Sequence, residues 1–194
     1  MYATLLTQNL QSYLSCEHPV NVDDGNEMHK FVTRLVNTTR QQNHVLYYVK
    51  KSHNTYSVYI QSDAPIHESP EMTKAGFMLV KSINLDDKVK HASDIRFVVK
   101  VFPYKCTQKK RLYLQDAQAR KDWMLRKLVE GGMDVHMLHE VLNEKQYFTK
   151  DKTVTHNAVT FTGTATVTDI TAFQTMVRNG IGKLKNYGLG MFMF

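Results

Sequence analysis

Alternating apolar and polar residues, enriched in β-branched and aromatic side chains, predict strands near residues 2–10, 45–50, 56–61 and 78–83. A helix follows the first strand. Asp24 with Glu27 three residues later reads as a capping box, and Met28, Phe31, Val32, Leu35 and Val36 recur at helical spacing to build one apolar face. A weaker helix is predicted over 69–75. The first half therefore has the order β-α-β-β-(α)-β, an α+β arrangement with helices on one side of an antiparallel sheet.

Polar residues at 86–93 mark the boundary between a first domain, 1–90, and a second, 91–194. The second opens with a strand over 95–102 in which Arg96 and Lys100 alternate with Phe97 and Val99, and Pro103 ends it. A return strand at 111–114 turns 104–110 into an exposed basic hairpin tip. A helix over 117–130 stops at Gly131-Gly132; strands follow near 146–148 and 158–167, then a helix over 170–179, Gly180, and a last strand through 191–194. This order loosely repeats that of the first half.

The chain has 194 residues, enough for two domains that each bury a core, and 42% hydrophobic with 10% aromatic content is too much core material for a disordered chain. Its formal charge of +7 is unevenly placed. Residues 1–90 carry nine Lys/Arg against nine Asp/Glu; residues 91–194 carry sixteen against nine, so the whole surplus sits there. Ten of those cations lie between Arg96 and Lys127, opposed by Asp116 and Asp122. Such a field attracts polyanions, and without a basic interfacial helix it favours nucleic acid over a membrane. Cys16 and Cys106 have neither zinc spacing nor a disulfide framework. Met1 to Ser15 lacks a basic leader, so the expectation is a cytoplasmic protein.

The run Gly180-Ile-Gly182-Lys183-Leu-Lys185-Asn-Tyr187-Gly188-Leu-Gly190 follows a helix and precedes a strand. Glycines turn backbone N–H groups toward an anion and lysines neutralise it; equally, Gly180 can be a plain helix cap and the other glycines a packing loop. The order is the reverse of a dinucleotide fingerprint or a Walker loop. His136, His139 and Glu140 complete no tetrahedral set, and neither metal nor cofactor is expected.

The glycine-rich end, the Met-Tyr start, the helical His29, Trp123-Met-Leu-Arg126-Lys127-Leu128, Gln146-Tyr147-Phe148 and Phe161-Thr-Gly163 together resemble the CasE-like CRISPR RNA endoribonucleases of the RAMP superfamily. The resemblance spans most of the chain. It implies two tandem ferredoxin-like (RRM-like) domains and a metal-independent endoribonuclease that cuts precursor CRISPR RNA beside a repeat stem-loop. In that reaction the 2′-hydroxyl attacks the phosphate, leaving a 2′,3′-cyclic phosphate, and the product stays bound, with slow or single-turnover cleavage an open outcome. The partners implied are the repeat stem-loop and a multisubunit effector complex of antiviral defence, Cascade. His29 becomes the candidate acid–base residue. Family members often have a tyrosine three residues earlier, where this chain has Asn26, which cannot transfer protons at neutral pH. Lys183, Lys185, Tyr187 and Lys152 are candidates to fill that gap. The RNA grip falls to Arg96, Lys100, Lys105, Lys109, Lys110, Arg111, Arg120 and Lys127, with Gly180, Gly182, Gly188 and Gly190, while Trp123 is assigned to the core. Asn26 also leaves open a non-catalytic RAMP-type subunit that binds the crRNA hairpin.

Overall fold

The computed structural model describes residues 1–36, 44–107, 110–149 and 153–194. It divides into two compact units, the first Met1–Asp86 with Tyr147–Val154 and Asn186–Gly188, the second Asp87–Gln146 with Thr155–Lys185 and Leu189–Phe194. The first division falls after Asp86. Two short segments of the second half nevertheless belong to the first unit, which no break in composition announces.

In the first unit, β1 (Tyr2–Asn9) leads through α1 (Leu10–Ser15) and α2 (Gly25–Val36) to β2 (Leu46–Ser52) and β3 (Thr55–Ser62); α3 (Pro70–Lys74) then leads to β4 (Met78–Asn84). The sheet order is β2-β3-β1-β4, with antiparallel pairing at each junction. Every second residue of β1 and β3 points inward, so Leu6, Val58 and Ile60 meet Met28, Phe31 and Val32 of α2 and Met72 of α3 in one core. Phe31 stacks on Phe77 with ring centroids 5.0 Å apart. Each such side chain contributes about 1.5–3 kcal/mol on burial, so the predicted apolar stripe of α2 accounts for its docking on the sheet.

The second unit follows α4 (Asp86–Lys90) with β5 (Asp94–Val101), β6 (Tyr104–Thr107), β7 (Lys110–Tyr113), α5 (Ala117–Glu130), β8 (Met133–Thr149), β9 (Thr153–Val167), α6 (Ile170–Asn179), a 3₁₀ turn at Lys185–Tyr187 and β10 (Phe192–Met193). Its sheet order, β10-β5-β9-β8, is that of the first sheet once its strands are counted from β5. Both sheets therefore have the ferredoxin-like pattern, with β6 and β7 forming a separate two-stranded hairpin inserted before α5. Val99, Phe161, Phe173, Val177, Leu128 and Phe192 are buried here, and Phe97 stacks on Phe192 at 5.1 Å.

Strand β8 is far longer than the short stretch at 146–148 predicted. It is an edge strand, and Met137, Val141 and Leu142 along it are exposed. Its buried residues, Met133, Leu138 and Phe148, are spaced too widely to give a two-residue alternation.

Where α5 turns into β8, Gly132 has φ +76°, and a Cβ there would lie 2.4 Å from the Asp169 carbonyl oxygen. That carbonyl belongs to the residue capping α6, whose carboxylate accepts the Thr171 and Ala172 N–H groups. Gly132→Ala is expected to cost at least about 2 kcal/mol of stability, read as a lowered urea midpoint with an unchanged slope.

Candidate active site and nucleic-acid interface

The first turn of α2 is fixed by an unusual concentration of hydrogen bonds within the first unit. Asp24, 7% exposed, accepts from the Asn26 N–H at 2.8 Å and the Glu27 N–H at 3.4 Å, capping the helix. The same oxygen accepts from the Thr149 N–H at 3.2 Å. Burial pushes the Asp24 carboxyl up, but the Thr149 hydroxyl and the N–H groups of Asn26, Thr149 and Glu27 together hold it below the ordinary carboxylate value. Only half of the predicted capping box forms. Glu27 accepts from the Asn21 N–H at 2.8 Å, while the Asp24 N–H donates to the Asn21 carbonyl.

Asn26 donates its side-chain amide to the Thr149 carbonyl at 2.7 Å. Thr149 is thus gripped on both sides of its peptide, through its N–H by Asp24 and through its carbonyl by Asn26, and the end of β8 is tied to the start of α2. A second tie is the fully buried phenol of Tyr47, whose hydroxyl lies 3.0 Å from the Gly25 carbonyl and 3.1 Å from the Asn186 carbonyl. Burial, then the nearby Tyr187 and Asp24, push this phenol well above its ordinary value, so it remains a donor.

One turn further along α2 stands His29, half-buried at the margin of the apolar stripe. Thr33 donates its hydroxyl to the His29 carbonyl at 2.7 Å and lies 3.5 Å from the ring Nδ1. The Tyr187 ring faces the imidazole edge-on, with centroids 6.5 Å apart and planes at 71°. Phe148 packs on Tyr187 at 4.3 Å. Gly25 makes room for this group, since a Cβ there would be 2.6 Å from the Phe148 ring and 3.2 Å from the Tyr187 Cβ. The structure thus brings His29, Asn26 and Tyr187 into one unit. Asp24, Tyr47 and Thr149 escaped the sequence reading as site residues, and of the three only the capping pattern at Asp24 left a local signal.

The remaining candidates are distributed otherwise. Lys183 is exposed in the second unit, and Lys185 donates its Nζ to the Asn179 carbonyl at 2.6 Å. Lys152 and Lys109 lie outside the described residues. Arg96 is exposed on β5, whereas Lys100, on the same strand, pairs with Glu144 at 2.5 Å. Lys105, Lys110 and Arg111 are exposed on the β6–β7 hairpin, whose base is held by Phe102 stacked on both Tyr104 and Tyr113. Lys127 pairs with Glu130.

Arg120 is 5% exposed and donates to both Glu140 oxygens, at 2.6 and 2.8 Å, and to the Leu114 and Gln115 carbonyls. That set occupies the guanidinium inside the unit, and Trp123 beside it is buried as well. In the glycine run Gly180 caps α6 at φ +69°, and Gly182 at φ +74° packs over Trp123. Gly188 lies against Tyr47, and Gly190 exchanges backbone hydrogen bonds with Ile181 and Lys100.

One of the two ferredoxin-like units thus carries a half-buried histidine beside a phenol, and the other carries an exposed basic hairpin. The model of the family of CRISPR associated proteins matches residues 1–194, and the chain belongs to that family. No curated protein matches it. Among solved structures, the chain resembles the CRISPR endoribonuclease Cse3 bound to a 19-nucleotide RNA, at 18% identity and TM-score 0.86 over 100% of this chain and 99% of that one. It also resembles the CRISPR-associated protein Cas6e from Escherichia coli K-12, at 20% identity and TM-score 0.74 over 100% and 98%. A third likeness, at 20% identity and TM-score 0.70 over 100% and 98%, is to a chain of a CRISPR RNA-guided surveillance complex in its pre-nicking state. These likenesses establish the tandem ferredoxin-like fold. Among the described residues no helix is long and apolar enough to cross a membrane.

The depressed folded value of Asp24 makes its carboxylate stabilising above the ordinary value near 3.8, with that contribution lost as pH falls through the lower folded value. Asp24→Asn is therefore expected to be less stable than wild type by about 1–2 kcal/mol at pH 7. In urea titrations from pH 7 to pH 3 the gap should narrow at the acid end.

Proposed function

We propose that the protein is a metal-independent endoribonuclease that cuts precursor CRISPR RNA at the repeat stem-loop and keeps hold of its product. The observation that carries this reading is His29, held half-buried on the capped turn of α2 with the Tyr187 phenol against it. The nucleophile is the RNA's own 2′-hydroxyl, so the protein must move protons and stabilise charge rather than generate a nucleophile. Imidazole titrates near neutrality and suits either proton transfer. The products are a 2′,3′-cyclic phosphate and a 5′-hydroxyl.

The exposed cations of the hairpin, Lys105, Lys110 and Arg111, with Arg96 on β5, supply the grip on the stem-loop. A-form RNA is held mainly through phosphates, 2′-hydroxyls and shape, which a slim basic hairpin can follow. The likeness to a chain of a surveillance complex supports a place for this protein at the repeat end of such an assembly. The competing account is a non-catalytic hairpin-binding subunit. It draws on the commitment of the Asn26 amide to the Thr149 carbonyl, which removes that side chain from the chemistry.

Incubation with RNA of the repeat neighbouring its gene, in excess EDTA, distinguishes the two. Wild type should give cyclic-phosphate ends, and His29→Ala should be slower by about a hundredfold or more with hairpin affinity retained. Tight binding by both proteins without cleavage by either favours the non-catalytic subunit.

A further inference from the structure

We propose that Leu112 lets the basic hairpin tell the open end of an RNA stem from a closed stem or an unpaired strand, by covering the apolar face of the last base pair; the proposal rests on the stem-loop part of the reading above. The hairpin is a two-stranded ribbon in which Tyr104 lies opposite Tyr113, Lys105 opposite Leu112, Cys106 opposite Arg111 and Thr107 opposite Lys110. Residues directly opposite share a face, and successive residues alternate between faces. One face therefore holds Tyr104, Cys106, Arg111 and Tyr113, and the other holds Lys105, Thr107, Lys110 and Leu112.

The first face is turned to the body of its unit. Tyr104 and Tyr113 pack against the buried cluster of Phe102, Ala158 and Leu189, and the Arg111 guanidinium lies 6.0 Å from the centre of the Tyr104 ring. The Arg120 guanidinium stands 5.8 Å from the centre of the Tyr113 ring, and the Tyr113 hydroxyl donates to Asn143 Oδ1 at 3.0 Å. These contacts fix the pose of a ribbon that two strands alone would hold poorly in water. The second face is the outward one, and all four of its residues are exposed, Leu112 at 45%.

The chemistry of that face selects its ligand. Two ammonium groups match phosphates, which any nucleic acid supplies. Leu112, directly across from Lys105 and two residues along its own strand from Lys110, adds a demand for apolar surface in the same footprint. Within a stem the faces of the bases are stacked on one another, and only at the open end does the last pair present one as a flat apolar surface. Along the stem, the deep and narrow major groove of A-form RNA shuts out a ribbon whose strands alone lie about 4.8 Å apart. At the open end that obstruction is gone, so the two lysines reach the outermost phosphates while Leu112 lies on the terminal pair. Leucine packs on base steps in the same way in proteins that kink DNA. An unpaired strand offers base faces but no second line of phosphates, and it orders itself against a fixed ribbon only at an entropic cost.

The test is the affinity of wild type, Leu112→Thr and Leu112→Met for three labelled RNAs: the repeat hairpin, the same stem closed at its open end by a second loop, and a scrambled strand that does not pair. Deoxyribose at every unpaired nucleotide blocks cleavage, so the outcome does not depend on whether the chain is a nuclease. Threonine keeps a strand-forming side chain but loses most of the apolar contact, whereas methionine keeps it. On the repeat hairpin Leu112→Thr should bind about tenfold more weakly than wild type, and Leu112→Met should bind like wild type. The salt dependence of binding should be the same for all three proteins, because no phosphate contact is lost. On the closed stem and on the scrambled strand Leu112→Thr should match wild type. A Leu112→Thr protein that binds the repeat hairpin as well as wild type, or that loses equally on all three RNAs, overturns the proposal. Wild type without preference for the hairpin over the scrambled strand overturns the stem-loop reading itself and takes the assignment of Leu112 with it.

Discussion

The buried phenol of Tyr47 is the contact on which the candidate site depends. It lies between two backbone carbonyls, Gly25 at the start of α2 and Asn186 in the 3₁₀ turn, which are 161 residues apart in the chain yet belong to one compact unit. A buried hydroxyl left without a partner costs about 1–3 kcal/mol, so the phenol and both carbonyls favour only the arrangement that brings the two segments together. Thr149 adds a second closure, its peptide gripped on one side by Asp24 and on the other by Asn26. Three distant pieces of sequence thereby become the wall around His29. The positions of His29 and Tyr187 thus depend on backbone groups held from outside their own elements.

Much of the fold was legible because it is built on periodic patterns. The stripe of Met28, Phe31 and Val32 announced α2 and is the face that docks on the first sheet. The repeated order of strands and helices in the second half matches the identical strand order of the two sheets. What escaped was β8, whose exposed edge carries no alternation, and the membership of 147–154 and 186–188 in the first unit. Tertiary hydrogen bonds make that membership, and they leave no spacing to read. For the same reason the contacts of Tyr47 and Thr149 left no mark in the sequence, while the place of His29 at the margin of the apolar stripe did.

Charge counted along the sequence does not separate exposed cations from buried or paired ones. Counted along the sequence, Arg120 and Lys127 belong with the cations of the hairpin; in the structure Arg120 is internal and Lys127 is paired with Glu130. A buried arginine held by two carboxylate oxygens and two carbonyls organises the junction of α5 with β8, and its removal would cost stability before it cost RNA binding. The glycine run divides similarly. Gly188 gives Tyr47 its space and Gly190 pairs with Ile181 and Lys100, so these residues shape the turn that delivers Tyr187.

The most direct test of this account is the single-turnover cleavage rate of Tyr47→Phe at saturating repeat RNA, measured beside its affinity for the repeat hairpin. The exposed cations of the hairpin lie in the other unit, so affinity should hold. The loss of the shared anchor should slow cleavage by about tenfold or more, the order of effect expected when reacting groups are displaced by an ångström. A Tyr47→Phe protein that is less stable but cleaves at the wild-type rate would contradict the claim that this phenol positions the site.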